Sequence, residues 1–376
     1  MRLLHISSYY ITNKLYMNLY KQLSHEGFQQ EVFIPVKEES LIGVNQLPEE
    51  FTNVNYFYKN IIKKYDKYLY HNKINKQMKH IEQDILTGGN VDFIHAHTVF
   101  SDGGSAYKLH KKYGTDYIVN VRNTDINFFY KYAIHLRPFM YKVLRNAKAI
   151  VFLSHAYKQK TFDLLPVDVL TDIEHKCHII PNGIDDYWHS HTPSQRLEPS
   201  EDQLRLLFIG LLDENKNLGA VLSACSILKE QGKNVYLEVA GSGPLEEKNK
   251  QMCKELNITD NVTFHGYVKD QEKIRKIMGE TDVFVMPSFR ETFGLVYIEA
   301  MSQGIPVIYS EGQGIDGVFE NGEVGYAVDP HKPETIVEAI NNVRMSYEEM
   351  SANGIRESKG FKWANVAARY KELYEK

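Results

Sequence analysis

Met286-Pro-Ser-Phe-Arg-Glu291-Thr-Phe-Gly294-Leu-Val-Tyr-Ile-Glu299-Ala-Met-Ser-Gln-Gly304-Ile-Pro-Val-Ile308 is the stretch from which the architecture can be read. The apolar run Val283–Met286 ends there, a loop carries Glu291, and a helix begins near Gly294 or Leu295. A further apolar run, Pro306–Tyr309, follows almost at once. Strand, helix and strand in so short a span form a crossover between parallel strands. The same alternation continues in both directions. Before this unit lie the runs Arg205–Ile209, Val235–Ala240 and Val262–Phe264, and after it Gly325–Val328. The first half carries Leu3–Ser7, Glu31–Pro35, Asp92–His95, Tyr117–Val121, Ala149–Leu153 and Cys177–Ile180. Strands that are apolar throughout are buried on both faces, as in a parallel sheet covered by helices. The polar stretch Asp186–Gln203, with Pro193 and Pro199, separates the two series as a linker. The expectation is α/β: two doubly wound Rossmann-like domains facing each other across a cleft, residues 1–190 and 204–355. Residues 356–376 form a C-terminal helix that packs back toward the first domain.

The chain has 376 residues, with 44 Lys+Arg against 48 Asp+Glu, enough for two domains with separate cores. Its three cysteines, Cys177, Cys225 and Cys253, are far apart, which argues against a disulfide scaffold or a cysteine-ligated metal and for a reducing, cytoplasmic setting. No apolar run reaches the roughly 18–20 residues of a membrane span. Residues 1–185 hold 23 Lys+Arg and 18 Asp+Glu, so the positive excess lies in the first half. Lys59, Lys63, Lys64, Lys67, Lys73, Lys76 and Lys79 stand there against one acid, Asp66. Ile61, Ile62, Tyr65, Tyr68, Leu69 and Met78 are interleaved among them. The segment reads either as a solvated helix packing on its own domain or as a basic face for peripheral contact with the inner, anionic membrane surface. The slightly acidic balance and the absence of any nucleic-acid module argue against a nucleic-acid partner.

In doubly wound sheets, ligands bind beyond the carboxyl ends of the strands, which places the informative residues just after them. The amides of Phe293, Gly294 and Leu295 open the helix after Met286, and helix N-termini attract anionic oxygen. Glu299, about one turn inside that helix, offers an acceptor suited to hydroxyls, above all the vicinal pair of a ribose. Donors for anionic oxygen beside acceptors for hydroxyls describe a pocket for a nucleotide sugar.

The E-x₇-E spacing of Glu291 and Glu299 within PSFRETFGLVYIEAMSQGIPVI resembles that of the retaining glycosyltransferases of family 4, which have the GT-B fold. Gly210–Asn217 resembles the first strand-loop of that family's nucleotide domain. Gly241-Ser-Gly243-Pro244 resembles its G-x-G-P turn, and Phe264–Val268 its F-x-G-x-V strand. His95-Ala-His97, Arg122-Asn-Thr-Asp125 and Pro181–Asp185 are similar to it in the first half. The resemblance implies that Glu299 holds the ribose and that Glu291 sits at the reacting sugar. It implies that Lys216 neutralises the diphosphate and that Phe293, Gly294 and Leu295 contact sugar and phosphate. Gly241, Gly243 and Val268 then frame the base, His97 is catalytic, lining the sugar subsite and helping to polarise the reacting centre, and Arg122 and Asp125 belong to the acceptor side. No metal and no cofactor are implied. The expected partners are a nucleoside-diphosphate sugar, with UDP favoured, and a hydroxyl of a glycan or lipid-linked glycan in cell-surface polysaccharide synthesis.

Two positions depart from the family pattern. Where relatives place an arginine after the glycine of a G-R-x-x-x-K loop, this chain has Leu211, and Arg290 and Arg122 are the replacement cations at hand. Where many relatives carry Gly-Gly after the first strand, it has Ser7-Ser8-Tyr9-Tyr10. The competing reading is a degenerate GT-B protein that binds nucleotide or glycan without catalysis. His95 is expected to alternate to the face opposite His97, and Asp125 reads equally as a turn or capping residue.

Overall fold

The computed structural model describes residues 1–12, 14–67, 69–196, 198–200 and 202–376. The chain divides into two compact units. One comprises Met1–Leu153, Lys158–Asn182 and Trp363–Lys376; the other comprises Ser154–Tyr157 and Gly183–Lys362. Each is built on one parallel sheet, which gives the two Rossmann-like domains of the GT-B fold. Among the described residues, no helix is long and apolar enough to cross a membrane.

The first sheet contains β1 (Arg2–Ile6), β2 (Gln29–Val36), β3 (Val54–Asn60), β4 (Phe93–Ala96), β5 (Tyr117–Asn120), β6 (Ala149–Phe152) and β7 (Cys177–Ile179). Their order is β3-β2-β1-β4-β5-β6-β7, so the winding reverses between β1 and β4. Leu3, Leu4, Ile6, Val32, Ile94, Ile118 and Ile150 are at most 1% exposed, as strands covered on both faces require. β3 is not among the apolar runs read from sequence. It is the edge strand, mostly half-buried, and its three consecutive aromatics, Tyr56, Phe57 and Tyr58, are flanked by Asn55 and Lys59. Tyr56 and Tyr58 turn inward onto Tyr10, with ring centroids 5.8 and 6.4 Å away. The helix Trp363–Glu375 completes this core through Trp363, Val366, Ala367, Tyr370, Leu373 and Tyr374.

The basic segment 59–80 is three pieces rather than one helix: the end of β3, a short turn at Lys64–Lys67, and the helix Tyr70–Asp84. Tyr70, Ile74, Gln77 and Ile81 form its buried stripe. Much of its charge is answered within the domain. Lys59 pairs with Asp84 at 3.1 Å, Lys76 pairs with Asp66 at 2.8 Å, and Lys73 donates to the Ser101 hydroxyl at 2.8 Å. Tyr68 lies outside the described residues.

The second sheet contains β8 (Leu204–Ile209), β9 (Val235–Ala240), β10 (Val262–Gly266), β11 (Val283–Val285), β12 (Val307–Ser310) and β13 (Gly325–Val328). Its order, β10-β9-β8-β11-β12-β13, reverses between β8 and β11. The loops after these two central strands flank the switch point, where open α/β sheets bind ligands.

Candidate functional site

The loop after β8 carries Gly210–Asn217, and the loop after β11 carries Met286–Gly294. Side chains and backbone of the two loops are tied together. Phe289 N–H donates to the Asn215 carbonyl at 2.8 Å, and the Asn215 amide donates to the Arg290 carbonyl at 2.9 Å. Asn217 donates to the carbonyl of Pro287 at 3.1 Å and to that of Pro330 at 2.7 Å. Within this frame the Lys216 ammonium meets Glu291 Oε2 at 2.5 Å. Both side chains are only partly accessible, at 23% and 14%, so the pair is neither a free surface bridge nor fully desolvated. The other carboxylate oxygen of Glu291 accepts the Thr292 N–H at 3.0 Å, and Gln313 Oε1 accepts the Glu291 N–H at 3.2 Å. The Glu291 carboxylate is therefore gripped on both oxygens.

The helix Leu295–Ser302 starts directly after Gly294, whose φ of 84° is a left-handed conformation. A Cβ there would also lie 2.4 Å from the Tyr297 ring, so only glycine serves. Among the described residues, no protein group accepts from the amides of Phe293, Gly294 or Leu295. They form an array of donors beside Glu291 and Lys216, suited to anionic or hydroxyl oxygen. Tyr297 anchors the helix by donating to the Met286 carbonyl at 2.6 Å.

Glu299 lies on the same helix, half-buried. Burial pushes its carboxyl up to about 7; the Trp188 indole N–H opposes the rise and the negative charge of Asp185 adds to it. The turn after β9 closes tightly onto the loop after β8. Leu212 N–H donates to the Ser242 carbonyl at 3.0 Å, and Leu245 N–H to the Leu212 carbonyl at 2.9 Å. A Cβ on Gly241 would lie 1.8 Å from the Gly210 oxygen, and one on Gly243 would lie 2.5 Å from the Leu212 oxygen. Val268 follows β10, half-buried. Leu211 is 55% exposed. The exposed Arg290 side chain is held by Asn215 Oδ1, which accepts from its Nε at 3.3 Å.

In the first unit, the switch point between β1 and β4 has its own clasp. Asp102 Oδ1 accepts the Ser8 hydroxyl at 2.5 Å and the Ser8 N–H at 3.1 Å. Asp125 is buried and accepts the amides of Val99, Phe100 and Arg122 at 3.0, 3.0 and 2.9 Å, tying the loop after β4 to the loop after β5. Burial pushes the Asp102 carboxyl up to about 7 and that of Asp125 up to about 6. Arg122 lies over the Tyr16 ring at 5.7 Å, and its Nε donates to the His97 carbonyl at 3.4 Å.

The expectation that His95 and His97 diverge is corrected. Two-residue spacing puts them on one face of the strand, and their rings stack with centroids 3.9 Å apart. His5, directly opposite His95 in the β1–β4 register, joins them. His97 Nε2 lies 3.2 Å from His5 Nδ1 and 3.0 Å from the Tyr20 hydroxyl. His95 contacts the Tyr374 hydroxyl at 2.8 Å and Asn120 Oδ1 at 3.0 Å. All three rings are fully buried, and desolvation holds their pKa values below the ordinary histidine range. They are neutral at pH 7.

The sequence reading did not include Asn215, Gln313, Trp188, Ser8 or Asp102 among the site residues. Asn215, Gln313, Ser8 and Asp102 act by orienting other groups through contacts distant in sequence.

Comparison with known proteins agrees with this layout. The family model described as Glycosyltransferase Family 4 matches residues 13–187, and that described as Glycosyl transferases group 1 matches residues 192–359. The amylovoran biosynthesis glycosyltransferase AmsK of Erwinia amylovora is 35% identical over 129 residues, 33% of this chain and 31% of AmsK. Other curated relatives align over longer stretches, and the chain spans about half the length of the curated relatives it matches. Sucrose-phosphate synthase from Thermosynechococcus elongatus superposes with a TM-score of 0.75 at 19% identity, covering 100% of this chain and 98% of that one. Anabaena HepE, solved in complex with UDP, superposes with a TM-score of 0.73 at 15% identity, covering 100% of both chains.

Proposed function

Because the chain belongs to glycosyltransferase family 4, we propose that it transfers a sugar, with retention, from a nucleoside-diphosphate sugar to a hydroxyl of a glycan or lipid-linked glycan. The observation that carries this reading is the Lys216–Glu291 pair at the switch point of the second sheet, beside the donor amides of Phe293, Gly294 and Leu295. Lys216 and Arg290 supply cations for a diphosphate, and the helix N-terminus adds its dipole, so charge stabilisation needs no resident metal. Glu299 accepts from the ribose hydroxyls. Gly241, Gly243 and Val268 frame the base. In the reaction, the anomeric C–O bond of the donor breaks and its electron pair leaves with the diphosphate. The acceptor hydroxyl attacks on the same face, and its proton passes to the departing phosphate oxygen. Glu291, fixed on both carboxylate oxygens, orients the transferred sugar.

The first unit contributes the acceptor side. Asp125 shapes the loop that presents Arg122. The buried, neutral His97 acts as a positioning residue, holding through its carbonyl the Arg122 side chain. UDP is the favoured nucleotide, supported by the UDP complex of HepE; a role in cell-surface polysaccharide synthesis is supported by the name of AmsK alone.

A binder without catalysis is the second reading, favoured by the exposed Leu211 in place of a cation. Incubation with a panel of UDP- and GDP-sugars separates the two. Donor hydrolysis with at least one sugar supports transfer; tight UDP binding with no turnover of any donor supports the binder.

A further inference from the structure

The first unit carries an aromatic platform that its own core does not explain. After β5 the chain makes a wide π-helical turn, Asp125–Tyr130, followed by a short turn at Ile134–Leu136. The inner side of this segment is well anchored. Ile126 and Tyr130 are buried, Phe129 stacks on the buried Phe100 at 5.0 Å, and the Asp125 carboxylate is held by three amides. Its outer side presents Phe128, Tyr132 and Ile134, exposed at 57, 65 and 60%. Phe128 and Tyr132 lie 5.9 Å apart, so they form one surface. The hydroxyl of Tyr130 donates to the Leu164 carbonyl at 2.5 Å, which brings in exposed Leu164 and, close by in sequence, exposed Val167. Apolar side chains so firmly backed and yet open to solvent mark an interaction surface.

Within the segment 122–145 the exposed charge has one sign, whereas Val167 adjoins Asp168, which pairs with Arg145 at 2.7 Å. From Arg122 to Arg145 the only acid is Asp125, and it is buried. Lys131 lies over the Tyr132 ring at 5.2 Å. His135 directly follows Ile134 in the chain. Among the described residues, neither Lys131 nor His135 pairs with a carboxylate, in contrast to Lys59 and Lys76 of the neighbouring basic segment. Asp163 is the nearest acid in sequence to Leu164, and Gln159 donates to it.

We infer that Phe128, Tyr132 and Ile134, rimmed by Lys131 and His135, are the face by which the first unit rests on an anionic lipid bilayer. Aromatic and aliphatic side chains enter the headgroup boundary, and the cations answer lipid phosphates. The platform follows β5 at the carboxyl end of the sheet, the end where ligands bind in such folds. A lipid-linked acceptor would thus be met at the surface in which it is anchored. That last step rests on the proposed function; the bilayer contact does not.

The test is sedimentation of the full chain with phosphatidylcholine vesicles, with and without phosphatidylglycerol. The chain is expected to pellet with the anionic vesicles and to be partly released at high salt. Phe128→Ser combined with Ile134→Ser should lower the bound fraction about tenfold, with thermal unfolding unchanged because both positions are exposed. Lys64→Glu combined with Lys79→Glu should leave it unchanged. Three results would each overturn the inference: no vesicle binding by the unmodified chain, equal binding by the serine variant, or loss of binding in the Lys64/Lys79 variant alone. A dimer that the serine variant dissociates, with no vesicle binding, would assign the face to a second copy of the chain. UDP binding measured on the same samples reports on the donor site separately, so failure there leaves the vesicle result standing.

Discussion

Lys216 Nζ stands 2.5 Å from Glu291 Oε2, joining two loops that leave neighbouring strands on opposite sides of the switch point of the second sheet. The pairing means that neither charge acts alone. Without a donor, Glu291 keeps Lys216 in place; with a diphosphate present, the ammonium has a second anion to serve. Lys216→Met should therefore lower kcat/KM by about 10²–10³, corresponding to roughly 3–4 kcal/mol of lost charge stabilisation. Glu291→Ala should chiefly lower kcat, leaving UDP affinity within about threefold. Steady-state kinetics with a turned-over donor, alongside calorimetric titration of UDP, checks both. Equal, small losses in the two variants would contradict the assignment.

Glu299 titrates near neutrality because burial pushes its carboxyl up to about 7 from the ordinary 4.5. Between those values the folded chain holds a proton that the unfolded chain has released. This group's contribution to stability is therefore full below pH 4.5 and is lost as pH rises through 7. On the proposed ribose-binding role of Glu299, nucleotide binding runs the other way, since charge-assisted acceptance from hydroxyls needs the carboxylate. UDP affinity should rise between pH 6 and 8 in the unmodified chain, beyond any change seen in Glu299→Gln, which isolates this group from the phosphate's own titration. Glu299→Ala should weaken UDP binding about 10–100-fold at pH 8, as loss of hydrogen bonds to a charged group predicts. Isothermal titration across the pH range reads both effects.

What could be read in advance follows from how each feature is written in the chain. Strands such as Leu204–Ile209 and Val235–Ala240 are mostly buried and so appear as apolar runs, each broken by one half-buried charged residue, Arg205 or Glu238. β3, at a sheet edge, carries Asn55, Lys59 and Asn60 around its aromatics, and a search for continuous apolarity passes over it. Gly294 stands out because its loop opens a helix. The contact between Lys216 and Glu291 does not, because its partners are 75 residues apart and only the strand order brings them together. The same holds for Ser8 and Asp102, 94 residues apart across the first sheet's switch point. His95 and His97 were within reach of strand periodicity: a two-residue step returns to the same face, and the stacked rings follow from it.

We propose that Arg290 takes over the duty that Leu211 leaves open. Its guanidinium Nε is held 3.3 Å from Asn215 Oδ1, one residue before Lys216, so both cations are organised by one loop. Arg290→Met should lower kcat/KM by about 10–10², and Asn215→Ala should reproduce part of that loss by releasing the side chain. Leu211→Arg in the Arg290→Met background should restore activity at least threefold. Absence of any rescue, with donor binding intact, would show that position 211 does not face the diphosphate.

The C-terminal helix Trp363–Glu375 is bound to the first unit by more than apolar packing. The Tyr374 hydroxyl meets His95 Nδ1 at 2.8 Å, and the Asn120 amide donates to the Tyr370 hydroxyl at 2.8 Å, all in fully buried surroundings. Tyr374→Phe removes one oxygen, changes no packing, and leaves a buried imidazole nitrogen without its partner. The expected loss is about 1–3 kcal/mol, the desolvation cost of an orphaned polar group. Tyr374→Phe combined with His95→Leu removes both members of the contact and should cost less than the sum of the single changes. Urea unfolding at pH 7.5, followed through tyrosine fluorescence, measures the difference. A double variant whose loss equals that sum would mean that the hydroxyl and the ring do not share a hydrogen bond, and that the helix is held by its apolar face alone.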